Sequence, residues 1–122
     1  MRIYFESTNY PKKAAKRVKK IIRSEVKSMP GFKLSTSQTL VARMMGYSSW
    51  HELHATTTSG LYHKSEFDEM CERDEQVSRL KYQSNILALD LGISMREGQI
   101  LASKCRVSAC NPNHPQLVGS CT

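Results

Sequence analysis

The charge of this 122-residue chain is unevenly placed: residues 1–60 carry 11 Lys+Arg against 3 Asp+Glu, while residues 61–122 carry 7 against 8. An apolar content of 39% is enough for one core, but no apolar run approaches the roughly 20 residues a membrane-spanning helix needs. MRIYFEST lacks the apolar segment of a secretory signal, so a single cytoplasmic domain with four reduced cysteines is expected and a membrane role is excluded.

Taken in chain order, residues 2–6 are β-prone but too short to stand alone. They either pair with another extended piece near residues 106–109 or pack as an arm. A helix is predicted over about 11–29, with Asn9 as its cap, Pro11 in the first turn and Pro30-Gly31 as its stop. Ala14, Val18, Ile21, Ile22, Val26 and Met29 form its apolar stripe. Lys12, Lys13, Lys16, Arg17, Lys19, Lys20, Arg23 and Lys27 occupy the other sides. Glu25 is the only anion among them, so the opposite charges that normally support an exposed helix are missing. A face of this kind either keeps a small protein soluble or meets an anion such as nucleic acid or an acidic protein surface. The helix lacks interleaved aromatics, which argues against a stacking platform for single strands.

A helix-turn-helix-like pair follows over about 35–55. Ser35 with Gln38 reads as a capping box, Leu40, Val41, Met44 and Met45 as one apolar stripe, and Gly46 as the exit from the first helix. Ser49 with Glu52 repeats the capping box, and Trp50 and Leu53 turn the second helix onto the first. Leu34-Ser35, Gln38, Ala42-Arg43, Gly46-Tyr47 and the run Ser49-Trp50-His51-Glu52-Leu53 resemble the short helical module known as the glyoxalase-related protein domain. The likeness spans about residues 34–55. It implies a fold fragment and a plasmid or phage setting, and no glyoxalase activity, because the chain has no room for that metal-binding barrel.

Residues 56–60 read as a polar linker. A long helix is predicted over about 65–91, capped by Ser65, with an acidic first turn and a near-heptad stripe of Met70, Val77, Leu80, Leu87 and Leu91. Its acidic start offers a rival to any outside partner, since it could dock on the basic helix. Gly92 closes it. Ser94 with Glu97 opens a last helix over about 95–105, with Ile100, Leu101 and Cys105 inward, and residues 106–122 form an irregular tail. The expected fold is therefore all-α, a small cluster of four to five helices.

Chemistry is scarce. Cys105, Cys110, His114 and Cys121 have no compact zinc-ligand spacing. His51-Glu52-Leu53-His54 lacks the four-residue histidine spacing of a zinc-protease helix. An RNA-cutting toxin needs a His with a Lys or Arg near a phosphate, and His51, His54 and Arg43 could meet on the central pair. No catalytic residue, metal or cofactor is assigned. The residues favour a non-enzymatic protein of a mobile genetic element that binds nucleic acid or a nucleoprotein complex. Lys12, Lys13, Lys16, Arg17, Lys19, Lys20, Arg23, Lys33 and Arg43 supply the charge, and Tyr47, Trp50, His51 and His54 are candidate contacts. The alternatives are an anti-CRISPR-like inhibitor that covers a host defence complex and the RNA-cutting toxin. Oligomeric state and target sequence are not encoded in any motif.

Overall fold

In the computed structural model, which describes residues 1–110, the lysine-rich segment forms α1, Asn9–Glu25. Pro11, Ala14, Ala15, Val18 and Ile22 are its buried residues, one apolar stripe at helical spacing. The two alanines let a neighbouring helix approach closely: Ser37 Oγ donates to Ala15 O at 2.6 Å in the buried seam between α1 and α2, Leu34–Met44. The helix begins earlier than expected, with Thr8 at the cap and Asn9 already helical. It also ends earlier, because Val26 turns extended and a chain of tight turns through Met29 brings Phe32 into the core. Met29 precedes Pro30 and is thereby disfavoured from helical geometry.

Three further helices complete five among the described residues: α3, Trp50–Ser59, α4, Arg73–Leu91, and α5, Met95–Cys105. The fold class is all-α. α1 packs on α2 and α5, α2 also meets α4, and α4 and α5 form an antiparallel hairpin. Val18, Ile22, Val41, Met44, Met45, Leu53, Leu87 and Val107 lie fully buried between them. Gly98 permits the close α4–α5 approach, since a β-carbon there would stand 2.6 Å from Ser84 O.

Ser49 caps α3 by accepting from Glu52 N at 3.0 Å, as Ser94 caps α5 by accepting from Glu97 N at 3.1 Å. The expected Ser35 cap does not form; Lys33 stands at that position without a side-chain cap. α3 runs through the supposed linker to Ser59, where hydroxyls bond back to carbonyls (Thr58 to His54 O, Ser59 to Thr56 O) and Gly60 leaves with φ +69°.

The N-terminal arm corrects more of the sequence reading. Ile3 and Phe5 alternate inward. Ile3 N donates to Met45 O at 2.9 Å, while Tyr4 and Ser65 are joined by two hydrogen bonds, Ser65 N to Tyr4 O and Tyr4 N to Ser65 Oγ, both 2.9 Å. Ser65 is therefore a partner of the arm rather than a helix cap. The segment behind it stays non-helical until a single 3-10 turn, Asp68–Met70, and α4 starts only at Arg73. Buried Arg79 holds this turn, with Nη1 donating to Glu66 O at 2.7 Å and to Asp68 Oδ1 at 3.2 Å, and Nε to Glu75 Oε2 at 3.0 Å. The expected apolar stripe is thus broken at its start: Met70, Val77 and Leu80 are exposed, as is Ile100 on α5. Residues 106–109, placed by the sequence in an irregular tail, are buried. Residues 111–122, including His114 and Cys121 of the zinc possibility, lie outside the described residues.

Candidate nucleic-acid interface

At about 100° per residue, positions 12, 13, 16, 19, 20 and 23 fall on the side of α1 away from its buried stripe, covering roughly a third of the circumference. Lys12, Lys13, Lys16, Lys20 and Arg23 are exposed and Lys19 is half-buried. From Lys12 to Arg23 the row rises about 16 Å along the axis. Among the described residues no carboxylate forms an ion pair with any of these five lysines. Glu25, the one acid of the helix, is held at 2.9 Å by Lys104 of α5. Lys16, Lys19, Lys20 and Arg23, with Ser24 and Leu34, line an open groove where α1 meets the start of α2.

The acidic segment is the internal rival for this face. Part of its charge is occupied elsewhere. Asp68 and Glu75 belong to Arg79, and Glu69 Oε1 accepts from Cys110 N at 2.9 Å. The segment meets α1 near its amino end, where Phe67 tilts against Tyr10 at 5.2 Å and Glu66 lines the same cleft as Lys13. There burial pushes the Tyr10 phenol up to about 12, with Arg17 opposing and Asp68 and Glu69 adding to the rise.

Several expected contacts are committed inside the fold. Arg17 is half-buried, Nε donating to Cys105 O at 3.2 Å, with Nη2 buried and without a hydrogen-bond partner among the described residues. Arg23 is exposed, but its Nε is tied to Phe32 O at 2.8 Å. Arg43 is claimed by Asp90 at 2.6 Å; that hydrogen bond and its charge raise the guanidinium's pKa further. Arg43 therefore already carries its own counter-charge, unlike the lysines of α1. Tyr47 is 3% exposed and its hydroxyl donates to Ile3 O at 2.8 Å, so it supports the arm and offers no contact. Trp50 is half-buried against the core. His51 and His54 are exposed on α3, a helix without Lys or Arg, and Lys33 is exposed at the head of α2.

The turn between α2 and α3 is covered rather than displayed. Arg2 stacks over the Tyr47 ring at 4.7 Å and its Nη2 meets Glu52 Oε1 at 2.9 Å. The Ser48 backbone N–H, and secondarily Arg2, hold the Glu52 carboxyl below the usual glutamate range. Ser24 and Leu34 are groove residues that the sequence reading missed. Ser24 sits four positions after Lys20 and was legible as the same face; Leu34 was not, since its position depends on how α2 docks.

No group of three or more His, Cys, Asp or Glu side chains is placed to hold an ion among the described residues. The Cys105 thiol is pushed by burial to about 12, which opposes the thiolate a metal would need. Comparison with known proteins gives no match to a family model, to a curated protein or to a solved structure.

Proposed function

We propose that this is a non-enzymatic protein that binds nucleic acid through the phosphate backbone, with the outer face of α1 as the contact surface. The observation that carries this reading is the row of five lysines with no carboxylate partner among the described residues. Repulsion between like charges three and four residues apart destabilises an isolated helix by a few tenths of a kcal/mol per pair. An anion laid along the row removes that repulsion and releases its own counterions. The contact positions the ligand and does not read its bases. A plasmid or phage setting, as the likeness over residues 34–55 implies, belongs to the same reading.

The test is fluorescence anisotropy with a labelled duplex at several salt concentrations. Five phosphate contacts give a log–log salt slope near roughly −4.5. Reversing Lys16 and Lys20 together (Lys16→Glu, Lys20→Glu) is expected to weaken binding by at least about a hundredfold at low salt and to flatten the slope by about 2. An affinity that does not change with salt sinks the phosphate reading and favours the inhibitor that covers a protein surface.

A further inference from the structure

A second feature stands at the amino end of the lysine row. The arm, the start of α1 and the segment around residue 65 enclose a cleft of about 290 Å³. Its aromatic lining comes from Tyr4, Phe5, Tyr10 and Phe67, with Lys13 and Lys64 at its edge. The rings are held by one another: Phe5 stacks on Tyr10 at 5.3 Å, Phe67 tilts against Tyr10 at 5.2 Å, and Tyr4 carries the exposed Tyr62 stacked at 4.7 Å. Glu6 and Glu66 also line the cleft, so it offers hydrogen-bond acceptors as well as apolar walls. Lys13 belongs both to this cleft and to the row on α1. A backbone followed along the row therefore arrives at an aromatic opening.

We infer that the cleft receives one unpaired base of a single-stranded nucleic acid whose phosphates run along α1. This rests on the phosphate-binding reading of the same helix and names its ligand more narrowly. The sequence argued against a stacking platform because no aromatics interleave the lysines; the fold supplies them from the arm, from Tyr10 at the head of α1 and from residues 62–67. The volume lies at the small end for a ligand site and suits one planar ring system. Aromatic walls favour any base through its π face, and a carboxylate can accept from the exocyclic amine of cytosine. Within a duplex a base is paired and stacked and cannot enter, so the cleft selects unpaired strands.

Two probes of equal length separate the base from the phosphates: an oligodeoxycytidine strand and a strand with the same phosphates but abasic at each position. Anisotropy titration of the intact protein is expected to show the cytidine strand binding about tenfold tighter or more. Phe67→Ala should bring the cytidine strand down to the abasic affinity, with the abasic affinity and salt slope unchanged. Far-UV circular dichroism checks that the variant is folded; should it not fold, the comparison of the two probes on the native protein still decides. Equal affinity for the two probes, with a steep salt slope retained, overturns the cleft while leaving the phosphate reading intact. Failure of both probes to bind at low salt sinks the cleft, and failure of the labelled duplex as well sinks both readings.

Discussion

Gly46 shows how much of this molecule depends on a single missing β-carbon. Its φ is +96°, and a β-carbon there would collide with the Met1 carbonyl as the arm crosses the turn. Gly46→Ala is expected to cost at least about 2 kcal/mol, from the positive φ together with displacement of the arm. Thermal unfolding should show a midpoint lowered by roughly 5–10 °C. The sequence revealed this glycine as a helix exit; the arm lying over it was hidden, because that contact joins Met1 to a residue far along the chain. Tyr47, next to it, reads by composition as an interface aromatic yet is buried, since its hydroxyl found the Ile3 carbonyl. Burial pushes Tyr47 and Tyr10 from 10.0 to about 12. Their folded pKa values exceed the unfolded ones, so their contribution to stability is complete below pH 10 and is lost as pH rises from 10 to 12. Absorbance titration should show Tyr10 and Tyr47 ionising only above pH 10, together with loss of helical signal. Ionisation of Tyr10 and Tyr47 near pH 10 in a protein still folded would contradict their burial.

At the scale of the element, the helices written by local chemistry were legible and those set by distant partners were not. The last helix is legible to the residue at both ends, because Gly92 and the Ser94–Glu97 pair stop one helix and start the next by themselves. α1 was legible as an amphipathic element for the same reason. The start of α4 was not. Ser65 and the acidic run form a good local helix start, but Arg79 gathers Asp68 and the Glu66 carbonyl into a turn that a continuous helix cannot make. Arg79 is 5% exposed, and truncating it leaves Asp68 with its charge partly buried and without its cation. Arg79→Ala is expected to lose about 3 kcal/mol, measured by urea denaturation. A loss under about 1 kcal/mol would mean that the turn holds without the arginine.

For the whole molecule, a face kept for solubility and a face kept for a ligand make different demands on the same charges. The proposed interface was half legible: the lysines were visible in the sequence, but whether the chain's own acids covered them depended on docking. The fold sends Asp90 to Arg43 and Glu25 to Lys104, and among the described residues it leaves the lysines of α1 without a carboxylate. Lys16 lies at the centre of the row, with Lys12, Lys13, Lys19 and Lys20 three or four residues away. Lys16→Glu therefore replaces repulsive pairs by attractive ones, and an acid four residues ahead of Lys20 stands in the favourable order. Stability should rise by about 0.5–1 kcal/mol at low salt, and the gain should shrink as salt screens the pairs. Nucleic-acid affinity should fall in the same variant, since the centre of the contact changes from a positive to a negative charge. Opposite signs for the two effects are what a helix strained for its ligand predicts. A solubilising face predicts the gain in stability with no change in binding, so paired urea and anisotropy titrations of this one substitution tell the two apart.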